Sequence, residues 1–305
     1  MLKKINKMKA KAVIHVAIKI TIFFFIIFAN TAEGFADNLS KLIAEEMLGR
    51  NESVTVPQGT FDIESSLIYQ EFDKSDLFGT DVSRVLSVPV TMRYAARKGL
   101  LIWATTPFQY SSRETPLDNT TTSLVTSGIG DIGFGATYQI IQEGSTLPGV
   151  MLTLSGKADN GKIIDAAVSD NLSIGTGYWQ AGGSVSITRT FEPLLTFVNI
   201  GYNHNFQKTK DGVVTKPGDT INLSPGVIFS VTNDVAFRMQ GDFSYVFRSK
   251  EDGTQIGAIA TPAVLTFALG KSVGNWWYLE PGISRGLSKS SPDYALFLNG
   301  VMRWH

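Results

Sequence analysis

The sequence predicts an all-β protein: an antiparallel transmembrane β-barrel of about twelve strands, preceded by a short N-terminal helix. Three observations predict this fold: a leader-like N terminus, a period-two alternation of side chains that continues to the C terminus, and connections that alternate between short and long. In residues 294–304 every second position is a large apolar residue or glycine. Such a period places successive side chains on opposite faces of an extended strand. An apolar strand at a chain end avoids aggregation when it pairs into a closed sheet, which favours a barrel.

Composition excludes several classes of protein. The 305 residues include no cysteine, which excludes a disulfide framework and a thiolate metal site. Only 18% of the residues are charged and the mean hydropathy is near neutral, unlike a helical membrane protein or a disordered chain. Residues 1–36 carry six of the 27 basic residues and one of the 27 acidic residues, so the remainder is mildly acidic. A mildly acidic chain argues against a nucleic-acid partner, which would require a basic stripe.

The N terminus has the residue order of a secretory signal peptide. Five lysines within the first 11 residues precede an apolar stretch over 20–28, and small residues follow. Cleavage fits after Ala32 or after Ala36. The alternative is an uncleaved membrane anchor over 12–29, but Lys19 interrupts that stretch and a span needs about 20 apolar residues.

These boundaries divide the chain into a signal peptide over 1–36, a helix and linker over 37–58, and a barrel over 59–305. Residues 38–48 have apolar side chains at helical spacing, beginning at an asparagine cap and followed by a glycine. The apolar stripe of this helix needs burial, which leaves a plug in the barrel mouth, a periplasmic docking site and a mobile tail as alternatives.

From residue 59 onward, the period of two predicts twelve strand segments, close to the length of about ten residues that a tilted membrane strand needs. Their outward apolar positions span 61–69, 86–94, 100–110, 132–140, 150–154, 179–187, 194–202, 221–229, 235–247, 265–269, 277–283 and 294–304. A soluble antiparallel sheet also alternates, so this pattern alone does not separate a sandwich from a barrel. Two further patterns favour the barrel.

The first of these patterns is the alternation in connection length. Short connections lie at 98–99, 142–149, 189–193, 231–234 and 270–275. Mostly longer polar connections lie at 73–82, 113–128, 157–172, 207–219, 248–257 and 288–293. Short turns on one side and long loops on the other are typical of an outer-membrane barrel. With both termini on the short-turn side the strand number is even, so twelve fits and about ten or about fourteen are the alternatives.

The second pattern is the position of aromatic residues at strand ends, as in the girdles that contact the membrane interface. The predicted interface aromatics are Tyr94, Tyr110, Tyr138, Tyr202, Tyr245, Trp277 and Trp304. They make outer-membrane lipid a predicted partner. Gly300, Met302 and Trp304 also resemble the C-terminal signal that barrel-insertion machinery reads, although His305 displaces the aromatic residue from the last position.

Three segments carry a family resemblance. Residues 57–67 read PQGTFDIESSL, residues 127–140 read SGIGDIGFGATYQI, and residues 278–294 contain LEPGISRGLS followed by SPDY. Together they resemble the transporter-like outer-membrane proteins of the meta pathway of phenol degradation, over roughly residues 55–304. The resemblance implies an outer-membrane barrel of a Gram-negative bacterium that passes small hydrophobic or aromatic molecules. It supplies no catalytic or ligand residues, and residues 285–288 depart from the Gly-Leu-Thr form expected there.

The polar faces of the predicted strands hold the candidate lumen-lining residues. These are Asp62, Glu64, Arg93, Asp131, Gln139, Arg238, Gln240, Asp242, Glu280 and Arg303. As a constriction, they would select solutes by charge. As a network, they would neutralise one another inside a narrow barrel. Among the charges Arg93, Arg238, Asp242, Glu280 and Arg303, both signs occur in similar number. An unpaired charge in such an interior is costly, which favours the network.

Other motifs give weaker signals. Residues 128–133 match a dinucleotide fingerprint, but they lead into a strand rather than a helix, so no cofactor is predicted. The acidic segment 157–172 matches no ordered calcium loop, so no metal is predicted. His204, near the outer end of a strand, is a candidate base for a lipid hydrolase, although no second element of a triad marks the sequence.

The sequence therefore predicts a barrel that passes or binds small solutes passively, along its lumen or through a lateral gap between strands, without catalysis. Two alternatives come from other classes of protein. One is an outer-membrane lipid hydrolase built on His204. The other is a structural or adhesive barrel with a closed lumen, whose loops 113–128 and 157–172 bind a partner.

Overall fold

The computed structural model describes residues 57–76, 79–117, 120–161, 174–210, 212–274 and 276–304. The predicted signal peptide and the predicted helix over 38–48 lie outside these residues. Among the described residues, no helix is long and apolar enough to cross a membrane.

Seventeen strands make up the described fold. They are β1 (Phe61–Asp76), β2 (Gly79–Arg97), β3 (Leu100–Leu117), β4 (Thr120–Ile129), β5 (Gly133–Ile141), β6 (Gly149–Lys157), β7 (Gln180–Phe191), β8 (Leu194–Asn205), β9 (Lys208–Lys210), β10 (Val213–Lys216), β11 (Thr220–Ser230), β12 (Val235–Val246), β13 (Ser249–Glu251), β14 (Thr254–Ile256), β15 (Ala263–Val273), β16 (Trp277–Gly286) and β17 (Tyr294–Trp304).

Twelve strands close into an antiparallel barrel, in the order β1, β2, β3, β5, β6, β7, β8, β11, β12, β15, β16 and β17. The ring closes where β17 pairs with β1, with Trp304 opposite Phe61 and Tyr294 opposite Glu71. The predicted pairing of the terminal strand into a closed sheet is therefore confirmed, as is the even strand number. Closure pairs both edges of every barrel strand, which removes the exposed apolar edge that a terminal strand would otherwise leave.

Two predicted loops are wrong. Residues 73–82 are mostly strand, because β1 runs to Asp76 and β2 begins at Gly79.

The second wrong loop lies between β3 and β5. Residues 113–128 are mostly strand, because β3 runs to Leu117 and β4 pairs with its outer half. The inner half of β3 pairs with β5 instead. Strands β4 and β5 are thus one wall strand interrupted at 130–132, where the amide of Gly130 donates to the carbonyl of Pro107 at 2.7 Å. The run of threonines and serines predicts a polar loop. Threonine is β-branched, however, and also favours the extended backbone of a strand, here in the part of the wall beyond the membrane.

Two further predicted loops contain strands. Residues 207–219 contain β9 and β10, and residues 248–257 contain β13 and β14. These short strands form a four-stranded sheet in the order β14, β13, β10, β9, which we call the tongue. The tongue continues the barrel wall outward, because β9 follows β8, β10 precedes β11, and β13 follows β12.

The two faces of the wall differ as the alternation predicts. Large apolar side chains on the outer face are exposed, for example Leu154 at 60% and Phe108 at 51%. Buried apolar residues on the inner face form a cluster near the short turns: Leu195, Phe197, Ile228, Ala236, Ala268, Tyr278 and Val301. An apolar exterior and a mixed interior are the arrangement that a barrel in a lipid bilayer requires.

Candidate functional site in the barrel interior

The first ionic cluster joins the strands at the barrel closure. Arg303 on β17 donates from Nε and Nη2 to the two carboxylate oxygens of Asp62 on β1, each at 2.9 Å. Arg93 on β2 lies 4.0 Å from Asp62 and 3.4 Å from Glu64. The register places Arg93 and Arg303 on either side of Asp62. Two cations thus face two carboxylates, and a bidentate contact of this kind is among the stronger charge-assisted interactions.

A second ionic cluster centres on Glu280 of β16, which is fully buried. Arg238 on β12 donates from Nη2 to its Oε1 at 2.6 Å. The Tyr278 hydroxyl donates to Oε2 at 2.7 Å, and the Asn299 amide donates to Oε1 at 3.3 Å. The carboxylate therefore has a counter-ion and two neutral donors, which is what keeps a buried charge tolerable.

The same cluster extends along β12. Arg238 also donates to the side-chain carbonyl of Gln240, whose Nε2 donates to Asp242 at 2.7 Å. Arg238 thus reaches across β15 to Glu280 on β16, while Asp242 is reached along its own strand through Gln240. We call the inward residues of β1, β2, β12, β16 and β17 the charged wall.

The inward face of β5 to β8 has a different chemistry. Thr137 and Thr153 share a hydroxyl hydrogen bond of 2.9 Å, and the Asn199 amide donates to Ser186 at 2.7 Å. The inward barrel positions of these four strands carry hydroxyls, amides, glycines and a few apolar side chains, with Lys157 at the outer end of β6 as the charged residue among them. We call this face the hydroxyl wall.

Three inward aromatic rings lie flat against glycines of a neighbouring strand. A Cβ at Gly135 would lie 2.5 Å from the indole of Trp103. A Cβ at Gly226 would overlap the ring of Phe197, and one at Gly282 would overlap the ring of Phe297. Each glycine thus makes room for a ring that lies along the wall rather than across the interior, a packing known to stabilise glycines in strands.

Two predicted lumen residues lie elsewhere than mid-wall. Gln139 is half-buried at the short-turn end, where its backbone N–H donates to the carbonyl of Gly99 at 2.8 Å. Asp131 lies beyond the end of β5, in the interruption between β4 and β5. The other eight candidates lie on the charged wall: Asp62, Glu64, Arg93, Arg238, Gln240, Asp242, Glu280 and Arg303.

Asp131 ties two loop segments to the wall interruption. Its Oδ1 accepts from the Gly161 amide at 2.8 Å, and its Oδ2 accepts from the amide and hydroxyl of Thr176, both at 2.7 Å. Lys157 lies 3.5 Å from the same oxygen. Burial raises the pKa of Asp131, but the hydrogen bonds from Thr176 and Gly161 and the charge of Lys157 outweigh it, so the pKa lies below its ordinary value. Asp131 is thus an anchor for loops rather than a lining residue.

The predicted interface aromatics all lie at outward positions of barrel strands, in two bands. Near the short turns lie Tyr94, Tyr138, Trp277 and Trp304. Toward the opposite ends of their strands lie Tyr110, Tyr202 and Tyr245. Two such bands are the arrangement of interfacial girdles. The contact of these residues with the membrane interface stays a prediction.

His204 has an orienting partner that sequence reasoning missed. Its Nδ1 lies 3.2 Å from Asp219, which also accepts from the Tyr202 hydroxyl at 2.7 Å. Register places Ala181 opposite His204 on β7, and Tyr202 and Phe206 are its same-face neighbours along the chain. Among the described residues, the nearest outward positions therefore give His204 a carboxylate but no serine or threonine.

Sequence reasoning also missed Trp103, Tyr278 and Asn299 in the interior. Alternation could have found Tyr278, because it directly follows the outward Trp277 and precedes the outward Leu279. Trp103 likewise lies between the outward Ile102 and Ala104. Residue type alone predicts both side chains on the lipid side, where the aromatic residues of a membrane strand are expected.

Comparison with known proteins agrees with this architecture. A family model described as putative MetA-pathway of phenol degradation matches residues 48–304. The COG4313 outer membrane channel from Pseudomonas putida F1 superimposes with a TM-score of 0.68 at 14% identity, covering 82% of this chain and 97% of that one. The CymD monoaromatic hydrocarbon channel gives a TM-score of 0.45 at 10% identity, covering 90% of this chain and 95% of that one. At 14% identity, the superposition with the COG4313 channel shows a shared fold alone.

Proposed function

Since the chain belongs to the putative MetA-pathway of phenol degradation family, we propose that it is an outer-membrane barrel for the passive passage or binding of small hydrophobic or aromatic solutes. The family membership confirms the resemblance carried by residues 127–140 and 278–294. The closed barrel with its apolar exterior supports the predicted location in the outer membrane of a Gram-negative bacterium.

The observation that carries the proposal is the set of rings on the inner wall. Trp103 and Phe297 are half-buried inward side chains whose rings lie on glycines. A ring fixed along the wall in this way can stack against a planar solute without having to rotate out of its packing, and aromatic pairs add about 0.5–1.5 kcal/mol beyond area burial. The same wall offers hydroxyl and amide groups, such as Thr137 and Asn199, which suit a solute with one polar substituent.

The interior charges support a structural role in this proposal. Arg238, Glu280, Asp62 and Arg303 are each engaged by an opposite charge within 3 Å. A charge that is neutralised at short range exerts little field on a passing solute. We therefore assign these residues to a neutralising network that joins strands across the inner face of the barrel, rather than to a charge filter.

Two routes are open to a solute. One follows the lumen past the rings. The other passes sideways at the interruption between β4 and β5, where β3 exchanges one partner strand for the other.

The test of passage uses the purified protein in liposomes and planar bilayers. Uptake of phenol and toluene should rise above that of protein-free liposomes, while uptake of a sugar of similar size rises less. Trp103→Ala should reduce the aromatic preference, and Phe108→Ala, on the outer face of the same strand, is the matched control. A barrel that conducts no ions and admits neither class of solute would contradict the proposal and favour a structural or adhesive protein.

A further inference from the structure

The wall interruption at 130–132 turns two consecutive residues toward the interior. Ile129, at the end of β4, and Ile132, just before β5, are both exposed on the outer side of the wall. Gly130 follows the first and Asp131 precedes the second, so alternation from either strand places its neighbour on the inner face. Between the ladders of β4 and β5, this wall strand has three residues where β3 has two. That count is the pattern of a β-bulge, which re-aims side chains where regular pairing stops.

Contacts agree with the inward position of both residues. A Cβ on Gly130 would lie 2.9 Å from the ring of Pro107, which lies between two exposed, outward residues of β3 and therefore faces the interior. The Nζ of Lys157 lies 3.5 Å from the Asp131 carboxylate. Lys157 is three residues beyond the exposed Leu154 on the same strand, so its side chain is on the inner face.

Two segments of the connection between β6 and β7 pack on this inward pair. They are residues 158–161 and 174–176, which we call the shelf. The carboxylate of Asp131 accepts from the Gly161 amide in the first segment, and from the Thr176 amide and hydroxyl in the second. Because that carboxylate points into the barrel, the groups that donate to it lie on the inner side of the wall.

The backbones of the two segments also touch each other and the wall. A Cβ on Gly175 would lie 2.6 Å from the Cα of Gly161. A Cβ on Gly130 would lie 3.3 Å from the carbonyl oxygen of Ile174, a residue that is only 7% exposed. The shelf therefore packs closely against the inner face of the interruption, and it does so through glycines that leave no room for a side chain.

Register places the shelf at the outer mouth of the barrel. Gly133 pairs with Lys157 at the outer end of β6, and Lys157 pairs with Gln180 at the start of β7. The shelf continues from these strand ends, on the side opposite to the short turns. It also reaches the tongue, because Lys208 donates to Asp159 at 2.8 Å. Backbone that lies inside the ring of strands at this level reduces the opening through which a solute passes.

We propose that the shelf narrows the outer mouth, and that Asp131 sets the upper size of the aromatic solutes that pass by holding the shelf on the inner face. This inference rests on the proposed passage of aromatic solutes and adds a size limit to it. The hydrogen bonds to Asp131 are charge-assisted and reach both segments, so one side chain fixes the whole shelf. Asp131 is a positioning residue, since it acts through the shelf. Pore diameter is one of the properties by which a channel selects, so release of the shelf should favour large solutes over small ones.

The experiment measures size selection by the purified protein. The readouts are the uptake of 1-naphthol relative to phenol in liposomes, above that of protein-free liposomes, and single-channel conductance in planar bilayers. Asp131→Asn removes the charge that holds the shelf, whereas Gly175→Ala keeps that charge and forces the two segments apart. Both variants should raise the uptake ratio about threefold and the conductance about twofold.

The matched controls lie at the short turns. Asp234→Asn removes an exposed carboxylate beside Lys271, and Gly144→Ala adds a Cβ that would meet no atom within 4 Å. Neither control should change the uptake ratio or the conductance. Heat-dependent gel mobility confirms that every variant is a folded barrel.

Each other outcome has a distinct meaning. An unchanged uptake ratio in Asp131→Asn would overturn the size limit, while the proposed passage would stand if the wild type takes up phenol. A rise in Asp131→Asn without one in Gly175→Ala would assign the effect to the carboxylate itself and also overturn the role of the shelf. Equal rises for both solutes would indicate a leak and overturn it as well. Protein that takes up neither solute, but whose conductance rises in both variants, would leave the shelf intact and contradict the proposed passage.

Discussion

The charged wall and the hydroxyl wall face the same interior but are stabilised in different ways. On the charged wall, Glu280 is fully buried and depends on Arg238. On the hydroxyl wall, Thr137 is equally buried but its hydrogen bonds are neutral. A buried ion that loses its partner retains the full cost of desolvation, whereas a neutral hydroxyl loses much less. The two walls therefore differ mainly in the unfolding free energy that is lost when one partner of a contact is mutated. They differ less in the free energy that an intact contact contributes.

The largest expected effect comes from breaking the Glu280 cluster. Glu280→Gln keeps the shape of the side chain but leaves the Arg238 guanidinium buried without its counter-ion. We expect this variant to lose about 3–5 kcal/mol of unfolding free energy, measured by urea titration of the barrel in detergent. R238Q/E280Q should recover much of the loss, because it removes both charges. A loss from Glu280→Gln below about 1 kcal/mol would show that the pair is solvated.

Asp131 lies between the two kinds of environment, because it is a single carboxylate that anchors loops next to the hydroxyl wall. Asp131→Asn replaces one acceptor oxygen by a donor group and should raise amide exchange at Gly161 and Thr176 about thirtyfold, equivalent to about 2 kcal/mol. The pKa of Asp131 lies below its ordinary value, so its contribution to stability is complete above that ordinary value and is lost as the pH falls through the lowered pKa. Exchange corrected for intrinsic rates should therefore accelerate in acid for the wild type alone.

The control for this prediction lies on the same loop. Asp159 pairs with Lys208 at the surface, at 2.8 Å, and both side chains are partly exposed. Asp159→Asn should change exchange at Gly161 by less than about fivefold, because exposed ion pairs contribute little. Equal effects from the two substitutions would argue that the loop, rather than the Asp131 carboxylate, is sensitive.

Packing on the hydroxyl wall gives the next effect. A Cβ added by Gly135→Ala would meet the Trp103 indole at 2.5 Å and the carbonyl oxygen of Leu154 at 2.6 Å, so both the ring and the adjoining backbone must move. Overpacking of this kind costs about 1–3 kcal/mol, and a shifted ring should also lower the aromatic preference in liposome uptake. Gly183→Ala is the matched control, since its Cβ would meet Leu154 at an ordinary 3.5 Å. Equal losses of unfolding free energy in the two alanine variants would show that the Trp103 ring does not pack against Gly135.

The sequence predicts the strands and inward residues within the membrane better than those beyond it. The twelve barrel strands were predictable because lipid on one side and a polar interior on the other impose a period of two. Beyond the membrane both faces of a strand meet water. The sequences of β4 and of the tongue strands therefore lack this period and predict loops. Inward charges such as Arg238 and Glu280 were predictable because they stand out in an apolar strand. Trp103 and Tyr278 resemble outward girdle residues in type, and only strict phase places them inside.

The smallest effect should come from the neutral hydrogen bond between Thr137 and Thr153. Thr137→Val removes one hydroxyl and should cost about 1 kcal/mol by the same urea titration. T137V/T153V should cost little more than the single variant, since replacing both partners by apolar groups of the same shape is nearly neutral. R238Q/E280Q instead recovers stability that Glu280→Gln alone has lost. A double-mutant cycle on each pair thus measures the contrast between the walls directly: a coupling of several kcal/mol is expected for the ionic pair, against about 1 kcal/mol for the hydroxyl pair. Similar couplings in the two cycles would show that the interior is wet enough to screen the buried charges.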